Sequence, residues 1–226
     1  MTDRLNESLN AQFAALHAER ERSWEPAKLA KNVAQRQQLV EAFDPEQVLK
    51  AGDVVAPFEL TTSDGAVLTL DQLIASGPAV LIFFRFAGCP ACNLALPYYD
   101  RQLWPALKAA GVPLVAVSPH LPEQGLGEIR QRHGLGYTVA ADRDNALARR
   151  FGLTFSRGDV PEGQPTPGWI GELTGTGTAE LPQPAVIVIG PDRVVRFAAI
   201  SPDWLERTEA PTILEAVRTL EVKAAA

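Results

Sequence analysis

Two residues of this chain carry thiol chemistry by type and spacing. Cys89 and Cys92 are its only cysteines, and they form one Cys-x-x-Cys pair. A pair one helical turn apart can close and reopen a disulfide with little backbone movement, which makes it a two-electron couple. A closed zinc site needs about four nitrogen or sulfur ligands. The only histidines are His17, His120 and His133, none at a paired finger spacing, so the sequence implies neither metal nor cofactor. A structural disulfide fits poorly with the start Met1–Ser8, which lacks the basic and apolar regions of an export signal. Inert buried thiols are the remaining bland reading.

The elements that must position the pair follow from the flanking pattern. Val80 to Phe86 is a short apolar, aromatic-rich run of buried-strand length, Gly88 breaks it, and helix-compatible residues follow from Cys92. Cys89 therefore falls at the first turn of a helix. There, free N–H groups and the positive end of the helix dipole favour a thiolate.

Beyond the pair, the pattern alternates strand and helix. Strands are predicted at Phe58–Thr62 and Val67–Leu70, joined by an Asp64-Gly65 turn, then at Val112–Ser118, Tyr137–Ala140, Ala185–Ile189 and Val194–Ile200. Helices are predicted at Leu94–Ala110, interrupted at Pro97 and Pro105, and at Glu123–His133, Asn145–Phe151 and Thr212–Val222. This alternation means a layered α/β domain over residues 51–226. Residues 1–50 form a helical extension. Leu5, Leu9, Phe13 and Leu16 recur at helical spacing, a second helix runs from Ala27 to Phe43, and Asp44-Pro45 reads as a further helix start. These helices are too polar to form a core alone, so they pack either on the domain or on a second subunit as a homodimer. With 226 residues, 46% hydrophobic, and a formal charge of −6, the chain can bury one good core and is a poor match for nucleic acid or an anionic membrane. No apolar stretch is long enough to span a bilayer, and the expected location is cytoplasmic.

The string Phe84-Arg85-Phe-Ala-Gly-Cys89-Pro-Ala-Cys92-Asn93, with Leu114–Pro119, Asp142, Ala148–Gly152, Leu181–Ile189 and Ser201–Arg207, resembles a peroxiredoxin-like, CxxC-containing branch of the alkyl hydroperoxide reductase and thiol-specific antioxidant superfamily. The resemblance covers about Gly52 to Leu220 and implies a thioredoxin-like fold, a central mixed sheet flanked by helices. Matched to ordinary peroxiredoxins, Cys92 takes the position of the peroxidatic cysteine, Cys89 that of a threonine and Arg85 that of a proline. Gln183-Pro184 stands where a peroxide-polarising arginine would be. Pro97 and Pro184 match instead the kinking proline and the cis-proline of thioredoxins. A cis Pro184 would offer a backbone edge to a partner strand beside the dithiol.

Three further residues invite roles. Arg85 lies in an apolar strand, where a lone charge is costly, so it is expected to meet a carboxylate, with thiolate stabilisation as the alternative. His120 is read as a surface-loop residue or a proton carrier, and Trp169 as a lid over the site or a packed loop residue. The function read from all this is a thiol–disulfide oxidoreductase, with Cys89 the exposed attacking thiolate, Cys92 resolving, and Arg85 and Pro184 supporting. The runner-up is a thiol peroxidase with Cys92 attacked by peroxide and Cys89 resolving, and a non-catalytic redox sensor is the third. The partners implied are a protein or small-molecule disulfide or a peroxide, and a reductant such as thioredoxin or glutathione.

Overall fold

The computed structural model describes residues 7–156 and 167–224. The chain opens with two helices, α1 (Leu9–Ser23) and α2 (Pro26–Glu41). Ser8 caps α1 by accepting from the Ala11 N–H, and Pro26 stands in the first turn of α2. The helix expected at Asp44-Pro45 does not form. Asp44 closes a turn instead, its Oδ1 accepting from the Glu46 N–H at 2.9 Å and its carbonyl from the Gln47 N–H at 3.2 Å. The turn diverts the chain so that the Leu49 N–H reaches the Phe151 carbonyl at 2.9 Å. Gly152 permits that approach, since at its φ of +69° a Cβ would lie 2.1 Å from the Gln47 carbonyl oxygen.

The domain then runs β1 (Glu59–Thr62), β2 (Val67–Thr69), α3 (Leu70–Ile74), β3 (Ala79–Phe83), α4 (Pro90–Gln102), α5 (Trp104–Ala109), β4 (Leu114–Ser118), α6 (Gly127–His133), β5 (Thr138–Ala141), α7 (Ala146–Arg150), β6 (Thr154–Ser156), α8 (Ile170–Leu173), β7 (Glu180–Pro182), β8 (Ala185–Ile189), β9 (Val195–Ile200) and α9 (Ala210–Ala224). One mixed sheet takes the order β2-β1-β5-β4-β3-β8-β9, and β6 with β7 makes a small separate ribbon. At its centre β3, β4 and β5 are parallel, and β8 joins β3 antiparallel. Such strands are covered on both faces, which is why they read as unbroken apolar runs. Alternation splits their side chains cleanly. Val80 and Ile82 enter one core with α4 and α9, while Leu81 and Phe83 enter the other with α3 and α7.

The extension joins the first of these cores. Leu9 and Phe13 of α1 are buried in the cluster that holds Cys89, Cys92, Tyr98 and Trp204. The anchor is Glu209: its carboxylate accepts from the N–H groups of Leu9 and Asn10 at 3.0 Å each, from the Ser8 hydroxyl at 2.8 Å and from the Tyr98 hydroxyl at 2.6 Å. A carboxylate at a helix N-terminus satisfies otherwise orphaned donors and meets the positive dipole end. Asn10 adds a reciprocal pair of bonds with the backbone of Arg207, each 3.1 Å. No residue of α2 is buried, and Arg36 ties it to Asp203 at 2.7 Å. Among the described residues, no helix is long and apolar enough to cross a membrane.

Candidate active site

Cys89 is the N-cap of α4, with Pro90 at the first helical position and Cys92 one turn on. The loop before it is held from three sides. The Cys89 N–H donates to the Phe86 carbonyl at 3.1 Å, and the Ser118 hydroxyl donates to the Arg85 carbonyl at 3.1 Å. The Ala87 N–H donates to His120 Nδ1 at 3.2 Å, while Nε2 on the other side of that ring faces the Gln124 carbonyl at 2.7 Å. That pattern fixes a neutral imidazole with its proton on Nε2, and burial keeps its pKa below the ordinary value. His120 is therefore a buried brace for the loop, not the surface residue expected, and both its nitrogens are engaged with backbone.

Asn93 was not singled out from the sequence, yet its amide donates to the carbonyls of Ala87 at 2.8 Å and Cys89 at 2.9 Å. Its own oxygen faces His133 Nε2 at 2.7 Å and Arg132 at 3.1 Å. The signal was available, since an Asn directly after a Cys-x-x-Cys can bond back to the helix start.

Both thiols are free and buried, with Cys89 2% and Cys92 1% exposed. The expectation of an exposed Cys89 fails: the residue is enclosed in the buried cluster that also takes in Leu9 and Phe13 of α1 and Trp204. The two thiols differ in charge preference. A hydrogen bond from the Cys92 thiol holds Cys89 well below the ordinary thiol range against the opposing effect of burial, with help from Arg85 and Arg207. Burial and the neighbouring Cys89 push Cys92 well up. The pair can hold one negative charge, and it resides on Cys89.

The cations beside it come from four separate parts of the chain. Arg85 does not meet a carboxylate. Among the described residues it forms no ion pair, and its guanidinium lies 4.8 Å from the Trp204 ring, 5.9 Å from Phe155 and 6.0 Å from Phe86. The aromatic faces take the place of the expected anion, because their negative quadrupoles attract a guanidinium where no acid is within reach. Arg20 of α1 and Arg36 of α2 face the same Trp204 ring at 5.6 and 5.8 Å. Arg207 lies over Phe13 at 5.5 Å and acts electrostatically on both cysteines, as Arg20 does on Cys89. Arg20, Arg207 and Trp204 were missed because they are remote in sequence, and arginine usually marks the surface.

Pro184 is not as expected. No peptide bond among the described residues is cis, so the bond before it is trans. The Gln183 N–H donates to the Leu153 carbonyl at 2.7 Å, and the Pro184 carbonyl accepts from the Ser201 N–H at 2.8 Å. These bonds carry the chain extended from β7 straight into β8, and the partner-strand edge inferred from a cis turn is absent. Trp169 caps the start of α8 and lies across Gly171, leaving a Cβ there only 2.3 Å from the indole. Most of the Gly/Pro/Thr-rich segment before it, residues 157–166, lies outside the described residues. Among the described residues, no group of three or more His, Cys, Asp or Glu is arranged to hold a metal ion.

The chain belongs to the AhpC/TSA family, which it matches over residues 51–198. It is 26% identical over 113 residues to the thiol-disulfide oxidoreductase ResA of Halalkalibacterium halodurans, covering 49% of this chain and 61% of that one. A Mycobacterium tuberculosis protein provisionally named a peroxiredoxin is 29% identical over 107 residues, covering 46% of this chain and 67% of that one. The chain thus spans about three-fifths to two-thirds of the length of these relatives. Among solved structures, the peroxidoxin BcpB of M. tuberculosis superposes with a TM-score of 0.60 at 23% identity, covering 77% of this chain and 97% of that one. Peroxiredoxin 6 of Arenicola marina gives 0.59 at 22%, covering 78% and 75%. These similarities establish the fold as thioredoxin-like, of the peroxiredoxin kind.

Proposed function

We propose that this member of the AhpC/TSA family is a thiol–disulfide oxidoreductase in which Cys89 attacks and Cys92 resolves. The observation that carries the reading is the asymmetry of the dithiol. Cys89 is the helix N-cap, accepts a hydrogen bond from Cys92 and feels Arg85 and Arg207, whereas Cys92 sits one turn deeper with its thiol kept protonated. The Cys89 thiolate attacks one sulfur of a disulfide, forming a mixed disulfide and releasing the first thiolate, which takes a proton from solvent. Cys92 then loses its proton and attacks the Cys89 sulfur, releasing the second thiol. The substrate gains two electrons, the pair becomes a disulfide, and a dithiol reductant such as thioredoxin, or glutathione, restores it.

The test is trapping. With a small disulfide, Cys92→Ser accumulates a mixed disulfide on Cys89, seen as one adduct by mass spectrometry, while Cys89→Ser stays unmodified. An adduct on Cys92 in the Cys89→Ser protein overturns the assignment.

Peroxide is the second reading as oxidant, and the cations around the sulfur favour it, since a guanidinium stabilises charge on a departing oxygen. In that reaction the thiolate would attack the peroxide, giving a sulfenic acid and water or an alcohol, and the other cysteine would close the disulfide with loss of water. Comparing stopped-flow rates of the reduced protein with hydrogen peroxide, an alkyl peroxide and a disulfide ranks the two. A redox sensor would titrate once and show no turnover with a reductant.

A further inference from the structure

Three guanidinium groups at the dithiol are more than nine-tenths buried: Arg20 is 3%, Arg85 5% and Arg207 8% exposed. Each keeps a nitrogen without a hydrogen-bond partner among the described residues: an Nη on Arg20 and Arg207, and Nε on Arg85. Arginine cannot shed its proton to escape this situation. The fourth, Arg36, is the one paired with a carboxylate, that of Asp203. The Cys89 thiolate offsets a single charge, and once the pair is oxidised it offsets none. Buried, unpaired cations of one sign are costly to retain unless an anion arrives.

A cleft of about 620 Å³ opens beside this cluster, between α1 and the segment Ser201–Thr208. Its volume suits a small molecule and excludes a folded domain. Arg36, Arg207 and His17 line it, and His17 Nδ1 is also buried without a partner. The acids on its wall are Asp203, committed to Arg36, and Glu206, which is exposed. Arg207 and Phe13 belong to both places. They line the cleft, Arg207 acts on both cysteines, and Phe13 packs in the cluster that contains them.

We propose that this cleft takes the carboxylate end of a small anionic disulfide, with Arg207 as its anion-binding residue, and presents the substrate's sulfur to Cys89. The proposal rests on the disulfide-exchange reading and names its substrate class. The fork of a guanidinium matches a carboxylate bidentately. The cleft meets the thiols through Arg207 and Phe13, so a small molecule seated in it lies on the side from which Arg207 acts on Cys89. The chemistry is the exchange already written: one substrate S–S bond breaks, two thiols leave, and the Cys89–Cys92 bond forms.

The experiment is single-turnover oxidation of the reduced full-length protein by three disulfides of similar length: dithiodipropionate (anionic), hydroxyethyl disulfide (neutral) and cystamine (cationic). Each rate is divided by that of a simple free thiolate, which itself disfavours the anion. The expected order is anionic above neutral above cationic, with the anionic compound ahead of the neutral one by about tenfold or more, as a focused field of one sign produces. Arg207→Met brings that ratio towards one. Should a variant fail to fold, the wild type still decides, because adipate, which carries the carboxylates without sulfur, should slow the anionic disulfide and spare the neutral one. Equal normalised rates, or no competition by adipate, overturn the anion site and leave disulfide exchange standing. Competition by inorganic phosphate at lower concentration than adipate overturns the carboxylate assignment. Oxidation by peroxide but by none of the three disulfides overturns the reading beneath it.

Discussion

The two faces of the central sheet treat buried charge in opposite ways. On the face covered by α3 and α7, the interior is Leu81, Phe83, Val115, Val117, Ile187 and Ile189, with Phe83 and Phe151 meeting edge to face at 5.8 Å. The buried acid there, Asp142, is fully used: its two oxygens accept from the N–H groups of Leu147 and Ala148 at 2.8 Å each. On the face covered by α4, α9 and the extension, buried arginine nitrogens, the Trp204 N–H and the His17 Nδ1 have no partner among the described residues. A satisfied buried acid positions a helix, whereas a set of unsatisfied cations around a thiolate is poised for something that comes and goes.

The comparison breaks most easily at Phe83. Phe83→Ala should reduce unfolding free energy by about 3–5 kcal/mol in urea melts, since a fully buried aromatic leaves a cavity. The alkylation rate of Cys89 per folded molecule should stay within about twofold. A large change in Cys89 reactivity would mean that the two faces are not separable.

Arg85→Met is the opposite case. It removes an unpaired buried cation, so stability should hold or rise, while Cys89 loses one source of thiolate stabilisation. Iodoacetamide labelling of Cys89 across pH should shift to higher pH, and disulfide exchange near neutrality should slow by about tenfold to a hundredfold. Loss of stability without a shift in the labelling profile would make Arg85 a packing residue.

The smallest effect belongs to Glu209. Burial pushes its carboxyl up, but the bonds from Asn10, Tyr98, Leu9 and Ser8 more than offset this and hold it below the ordinary carboxylate range. A lowered folded pKa means that its contribution is present above the unfolded pKa and is lost as pH falls through the folded one. For a partly exposed, cap-like group that contribution is about 1 kcal/mol. Acidification should therefore loosen α1 and speed alkylation of the trapped thiols relative to a free cysteine. Glu209→Gln should make labelling faster at neutral pH and flatten its acid dependence. An unchanged profile would mean that α1 is held by Leu9 and Phe13 alone.

The same contrast explains what the sequence could and could not convey. The apolar face is a matter of strands and periodicity, and Val80–Phe86, Val112–Ser118 and Ala185–Ile189 announce themselves by composition. The dithiol announces itself because its residue type is rare and its spacing local. The cations do not, because Arg20 and Arg207 reach Cys89 only through the docking of α1 and the return of the chain after β9. Arg85 was noticed as a charge in an apolar run, but its aromatic neighbours Trp204 and Phe155 come from distant segments, so a carboxylate was the natural guess. Pro184 carried a familiar pattern whose conformation depends on Leu153 and Ser201, neither adjacent in sequence. Asp44-Pro45 has the local chemistry of a helix start, yet the approach of Gly152 sets the path there.

The clamp at Glu209 also has a consequence in time. A chain leaves the ribosome from its N-terminus, and early segments settle as they emerge. Here α1 emerges before the cysteines, but Arg207 and Glu209, which seat it, are made long after them. While the nascent chain grows, Cys89 and Cys92 thus exist before α1 is seated in their cluster and without one of their cations. Both come only when the segment between β9 and α9 emerges, so a translation stall upstream of it leaves an unfinished dithiol site on the ribosome.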